Sequence, residues 1–278
     1  MRRSTVARVR WRRAWAAAVL LVAGCSSSVT GHGRVDASCP AAFFGVAGSG
    51  QGVHNPPPTL LPPGLGASDA LAYGTTVGLL KALVERLAGT RLASAAAVDY
   101  PAIPVTQYIG PGGLTGDLDT SEEQGVQVLL GLIRRVQTGP CARRPVLLSG
   151  YSQGAEVVVR TVAAMPATER SSVVVALFGN PSYQPDLPGD FPGHTQAAGI
   201  RPTFRHQAFT LPADVRARTL DVCAPGDPVC GVDPTLHTVL GRVSWVLGHV
   251  KIHENAYAFG PAGYAALAAK FLWAHRPA

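Results

Sequence analysis

The sequence is short of charge and of large soft or aromatic side chains: 15% of its 278 residues are charged, 7% are aromatic and two are methionine. Set against 47% hydrophobic residues, that scarcity excludes a disordered or polyelectrolyte chain and leaves enough apolar mass for one ample core. There is no internal repeat, which excludes solenoids and propellers. No uninterrupted apolar stretch reaches 18 residues, so no transmembrane helix is expected. Cys223, Cys230 and His237 are the nearest thing to a metal set, but their spacing fits no familiar finger or ribbon, and no metal is expected.

The formal charge of +7 does not describe the folded part. Six arginines (Arg2, Arg3, Arg8, Arg10, Arg12, Arg13) fall in the first 24 residues with no acid, and without them the charge is +1. So nearly neutral a balance gives no argument for a nucleic-acid partner.

Those arginines precede the apolar run Ala14 to Ala23, too short to span a bilayer and typical of an export signal. Val22-Ala23-Gly24-Cys25 then resembles a bacterial lipobox, in which small residues admit the peptidase and the cysteine carries diacylglycerol. Residues 1–24 are therefore expected to be a lipoprotein signal peptide, Cys25 the lipidation site and residues 25–38 a flexible tether. Ordinary cleavage nearby is the other reading, and it leaves Cys25 a spare thiol. The protein is expected to be exported, anchored by lipid at the cell membrane or held in the envelope. In that compartment Cys39, Cys141, Cys223 and Cys230 suit disulfides, and spacing alone does not choose among their three pairings.

From residue 39 to 278 one domain is expected. Short apolar runs at Ala41–Ala47, Ala95–Val98, Pro145–Ser149, Val173–Phe178 and Thr219–Cys223 read as strands buried on both faces. Helical patterns lie between them. Residues 68–89 carry Leu71, Val77, Leu79, Leu80, Leu83 and Leu87 as one stripe, and 121–137 follows Thr120 and Ser121 as caps. Further helices are expected over 154–165 and 262–275. The alternation predicts an α/β fold, a three-layer α/β/α sandwich around a mostly parallel sheet. Long loops at 48–66, 104–118 and 181–203 suit a site built along one sheet edge.

Gly150-Tyr151-Ser152-Gln153-Gly154 follows one of those strands and opens one of those helices. This is the context of a nucleophile elbow, where a tight turn holds a serine in a strained conformation and larger residues in place of the glycines would strike backbone. The helix that follows aims its first amides at developing negative charge.

The wider pattern resembles the cutinase family, in its actinobacterial lipoprotein form. The likeness rests on Cys39-Pro40 leading a strand into Gly48-Ser49-Gly50-Gln51, and on Cys141 shortly before Gly150-Tyr151-Ser152-Gln153-Gly154. It continues in Phe178-Gly179-Asn180-Pro181 and in Cys223-Ala224-Pro225-Gly226-Asp227-Pro228-Val229-Cys230. The resemblance implies the pairings Cys39–Cys141 and Cys223–Cys230. It implies Ser152 as nucleophile, Asp227 as the acid that orients an imidazole, and an oxyanion hole from the amides of Gln153 and Ser49. Asp221 is a rival acid, but it lies inside an expected strand.

The base must follow Asp227 in the chain, which leaves His237, His249, His253 and His275. His253, just ahead of Tyr257 and the last helix, fits the family's place best, and His249 is the alternative. His32, His54, His194 and His206 precede Asp227 and read as structural or exposed. The implied reaction is ester hydrolysis: His253 takes the Ser152 proton, an acyl-enzyme forms and water resolves it, with no metal or organic cofactor.

Between Asp227 and His253 the chain carries an insertion, longer than a compact cutinase has. Within it Leu236, Val239, Leu240, Val243, Val246, Leu247 and Val250 recur at helical spacing. Segment 231–252 is read either as a helix packed into the core or as a lid beside the site. Lipid or long-chain acyl esters are the expected substrates. A polysaccharide acetyl esterase and a silent envelope-binding protein are the alternatives, and the protein is expected to be a monomer.

Overall fold

The computed structural model describes residues 39–110, 113–114, 116–185, 197–205, 208–261 and 263–277. The expected signal peptide, Cys25 and tether lie outside these residues, as do His32, His194 and His206. No described helix is long and apolar enough to cross a membrane.

Five parallel strands form the main sheet: β1 (Ala41–Val46), β2 (Leu92–Ala97), β3 (Val146–Tyr151), β4 (Val173–Phe178) and β5 (Thr219–Val222). Their spatial order is β2-β1-β3-β4-β5. The register pairs Phe44 with Leu148, Ser149 with Ala176 and Phe178 with Val222, so the carboxyl ends of the central strands finish nearly level. Alternate residues face opposite ways, as strand geometry requires. Phe44, Leu148, Val175 and Leu177 pack on α2 (Gly116–Val136) and α3 (Gln153–Ala164). Phe43, Leu147, Val174 and Phe178 pack on α1 (Ala67–Ala88) and on the helix of residues Tyr264–Ala274. That is the expected α/β/α sandwich.

β1, β3 and β4 are buried at every position and β5 at all but Asp221, whereas β2 is only half-buried. β2 and β5 are both edge strands with a neighbour on one side only, so an open edge by itself does not expose a strand. The stripe on α1 also differs from the expectation: Val77 and Leu80 are in the core, whereas Leu71 and Leu87 are exposed. Gly74, at φ 72° and ψ 174°, kinks the helix and rotates its first turns away from the 3.6-residue repeat. Thr120 and Ser121 do not cap α2, which starts a turn earlier at Gly116 with Asp117 and Asp119 in its first turn.

Two further helices bear on the site: α4 (Ile200–Arg205) and α5 (Val239–Asn255). The Tyr264–Ala274 helix is α6. Helix α5 is the insertion between Asp227 and His253. It does not pack into the core as one of its readings had it: Val239, Leu240 and Leu247 are 67%, 82% and 58% exposed, and His253 is its one buried residue. Both disulfides take the pairing implied by the family resemblance, Cys39–Cys141 and Cys223–Cys230. Bonded to each other, Cys223 and Cys230 offer no thiolate to a metal.

Candidate active site

In this strand order the chain leaves β1 toward β2 on one side and returns to β3 on the other. The loops after β1 and β3 therefore diverge, and a crevice opens at their carboxyl ends. Ser49 follows β1 and Ser152 follows β3, so both border that crevice.

Ser152 adopts φ 55° and ψ −124°, a left-handed backbone that costs a non-glycine residue about 1–2 kcal/mol. Its amide donates to the Phe178 carbonyl at 2.9 Å, which ties the turn to β4. The glycines around it serve close approach. A Cβ on Gly150 would lie 2.3 Å from the Gly154 carbonyl oxygen, and one on Gly154 would lie 2.3 Å from that of Val46. Gln153 is the first residue of α3, where an amide has no intrahelical acceptor. The Ser49 hydroxyl donates to Gln153 Oε1 at 3.3 Å, which brings together the two residues expected to form the oxyanion hole.

Asp227 sits fully buried in the loop closed by the Cys223–Cys230 disulfide. The Val229 amide donates to its Oδ1 at 2.7 Å, and the Tyr257 hydroxyl donates to its Oδ2 at 2.5 Å. His253 Nδ1 lies 2.8 Å from Oδ2 and 3.0 Å from Oδ1. Burial pushes the carboxyl upward, but the His253 charge and hydrogen bond, then Tyr257 and the Val229 amide, outweigh it and hold Asp227 below the usual carboxylate range. Burial, and then the Asp227 charge, push the Tyr257 phenol well above its ordinary value, so it stays a donor.

His253 occupies the last turn of α5. Its ring stacks on Tyr151 with centroids 4.8 Å apart, and the Tyr151 hydroxyl donates to the His253 carbonyl at 2.8 Å. With Nδ1–H turned to a carboxylate, the ring presents Nε2 as an acceptor. Nε2 is buried and has no hydrogen-bond partner among the described residues. The Ser152–His253 hydrogen bond is thus not made here, although both side chains line the same two cavities. Such bonds are commonly long in ligand-free enzymes and tighten around substrate.

The larger cavity, about 270 Å³, is bordered by Ser49, Pro56, Leu71, Val105, Ser152 and Val250. The smaller, about 60 Å³, runs from Ser152 between Leu118, Ile200, Val246 and Leu247. The exposed Leu71 and the apolar face of α5 are therefore walls of the crevice.

The other candidates are elsewhere. His249 Nδ1 is 2.8 Å from the Trp245 carbonyl and its ring stacks on Trp245. His275 caps α6 against Phe271, His54 pairs with Asp99 at 2.6 Å, and His237 is exposed. Asp221 is at the end of β5, where Asn180 Nδ2 donates to it at 2.8 Å. Among the described residues no group of His, Cys, Asp and Glu is placed to hold a metal ion.

Four contributors escaped the sequence reading in their roles. Tyr151 and Tyr257 register there only as a motif position and a spacing marker. Gly179 belongs to a quoted motif, but its function is spatial: a Cβ would fall 2.5 Å from His253 Cε1. Arg201 is fully buried beneath α3, with Nε 2.6 Å from Glu156 Oε1 and Nη1 2.7 Å from Asp119, and it also pairs with Glu122. Arg160 reaches Glu122 at 3.0 Å. No signal in the sequence pairs residues 122, 156 and 201.

The cutinase family model matches residues 66–244. Carboxylesterase Culp1 from Mycobacterium tuberculosis and from Mycobacterium bovis is 30% identical over 143 residues, which are 51% of this chain and 54% of the relative. The chain thus spans about half the length of the curated relatives it matches. An acetylxylan esterase structure has a TM-score of 0.55 at 18% identity, covering 85% of this chain and 99% of its own. A cutinase-like protein from Cryptococcus sp. has a TM-score of 0.53 at 20% identity, covering 84% and 94%. These structures share the fold. With the family model matching well over half of its length, from α1 into α5, the chain belongs to the cutinase family.

Proposed function

We propose that the protein is a serine carboxylesterase in which Ser152, His253 and Asp227 form the catalytic triad. One observation carries this reading: a buried carboxylate holds the His253 imidazole at Nδ1 and leaves Nε2 unbonded, on a residue that lines the same cavity as a strained elbow serine. His253 Nε2 takes the Ser152 proton as Oγ attacks the ester carbonyl, and the imidazolium is stabilised by Asp227. The amides of Gln153 and Ser49 receive the oxyanion; losing one such donor typically costs about 3–4 kcal/mol of barrier. The alcohol leaves with the proton from His253. Water, deprotonated by the same ring, then cleaves the acyl-enzyme and returns Ser152. No residue in this sequence of steps requires a metal or an organic cofactor.

Apolar walls of Leu71, Val105, Val246, Leu247 and Val250 favour acyl esters of lipid type over sugars. The 60 Å³ chamber favours a second reading, a short-chain or acetyl esterase. In this account α5 is a wall or lid of the acyl site. The protein acts as an exported monomer, with Cys25 as its lipid anchor.

p-Nitrophenyl esters of graded chain length, with Ser152→Ala as control, test the reading. Turnover that rises with chain length and falls at least about tenfold on long esters in Val250→Trp supports an acyl wall. Preference for acetate selects the second reading. No turnover on any ester by folded protein, or undiminished turnover by Ser152→Ala, rules both out.

A further inference from the structure

The folded part is nearly neutral as a sum, but the fold sorts its charges. Because the strands are parallel, their amino ends share one edge, and arginines precede four of them: Arg91 before β2, Arg143 and Arg144 before β3, Arg170 before β4, Arg216 and Arg218 before β5. Helices that return to this edge end in the same way, with Arg86 in the last turn of α1 and Arg134 and Arg135 in that of α2. Arg276 follows α6, and Arg276 and Arg91 lie 3.9 and 4.7 Å from the centroid of the Trp273 ring. Three carboxylates share the edge and each is paired: Glu85 with Lys81 at 3.0 Å, Glu169 with Arg134 at 3.6 Å, Asp214 with Arg170 at 2.8 Å. Arg135 and Arg143 are exposed and have no carboxylate partner among the described residues. At the opposite edge Asp99 follows β2, Asp117 and Asp119 open α2 and Asp233 follows β5, and the bases there include Arg201 and Arg205, paired with Asp119, and Lys251, paired with Glu254.

We propose that the amino edge of the sheet is a docking surface for a membrane rich in anionic phospholipid headgroups, with the crevice beside Ser152 directed away from the bilayer. Guanidinium groups match phosphate in geometry as well as charge, and their attraction to an anionic leaflet adds over the residues within a Debye length. Burial and the neighbouring Arg91 charge push the Arg276 guanidinium downward, so this pair gains from a nearby anion. The half-buried Trp273 between them is a side chain suited to the headgroup level. Cys39 precedes β1 and is bonded to Cys141, so the described domain begins at this same edge. A membrane is favoured over a soluble acidic polymer by that aromatic contact and by the start of the described domain at this edge.

The test uses the exported protein, its leader removed, with Cys25→Ser so that no acyl chain contributes. It is sedimented with vesicles of phosphatidylcholine alone or with about one third phosphatidylglycerol. Binding is expected only with the anionic lipid, and it should be lost in about 1 M NaCl, where the screening length falls to about 3 Å. Arg135→Glu combined with Arg143→Glu should weaken it at least about tenfold at unchanged Tm, whereas Lys251→Glu on α5 should not. Absence of lipid-dependent binding overturns the proposal. Equal weakening by Lys251→Glu overturns the assigned face. Binding to a soluble acidic polysaccharide, with none to vesicles, overturns the membrane as partner.

Discussion

Gly179 and His253 are in contact that no side chain at position 179 would permit: a Cβ there would sit 2.5 Å from the imidazole Cε1 and 2.9 Å from Nδ1. Gly179 also has φ 56°, and it follows β4 directly below Asp227 and His253. Gly179→Ala should therefore displace the ring rather than unfold the sheet. We expect kcat/KM on soluble esters to fall by about 100-fold, the usual consequence of a misplacement near one ångström, with only a small loss of Tm. Retention of full activity would mean that this ring position does not matter to the reaction.

Two aspartates near the carboxyl end of β5 can be separated by their neutral isosteres. In the proposed triad Asp227→Asn removes the charge that orients and stabilises the imidazolium, and kcat should drop by about 10⁴-fold with little change in KM. Asp221→Asn keeps a partner for Asn180 and should leave kcat within about threefold. Steady-state kinetics on one soluble ester decides between them.

The acid side of the stability profile should carry the signature of Asp227. Its folded carboxyl gives up a proton more readily than the unfolded one, whose pKa is about 3.9, so between the two values the unfolded state holds more protons and stability rises with pH. The contribution is complete above about pH 4 and is lost as pH falls through the folded value. Tyr257→Phe deletes one of the hydrogen bonds that keep the carboxyl low. The slope of Tm against pH in this acid range should flatten in the variant, and an unchanged slope would remove Tyr257 from the account.

Arg201 is the buried cation between Glu122 and Glu156, and Glu122 is held well above the normal carboxylate range by burial and by Glu156. Arg201→Met leaves two acids in the interior without their shared partner. Denaturant unfolding should show a loss of about 3–5 kcal/mol. Adding Glu122→Gln and Glu156→Gln to Arg201→Met should recover part of it, because a neutral cluster no longer requires the cation.

Much of the framework was legible because it depends on local pattern. The strand at Val173–Phe178 has its expected bounds and four others lie within a few residues of theirs, since short apolar runs between turn residues have few other ways to be buried. Ser152 announces itself because its glycines answer a backbone collision that any elbow of this shape must avoid. The kink at Gly74 was not legible. An isolated glycine in a helical pattern is usually tolerated, and here it is the neighbouring Gln51 side chain that leaves no room for a Cβ.

The sequence by itself determined the order of strands and helices, the elbow around Ser152 and the cysteine-bracketed loop of Asp227, because each is set by residues near one another in the chain. Tertiary structure alone decided which histidine meets Asp227. His249 and His253 are one turn apart on α5, and only the packing of that helix end against Tyr151 turns one ring to the carboxylate and leaves the other on Trp245. The arginines follow the same logic. In the sequence they sum to almost nothing against the acids, and those that precede strands come to one face because parallel strands must all begin at the same edge, while Arg201 is buried among acids.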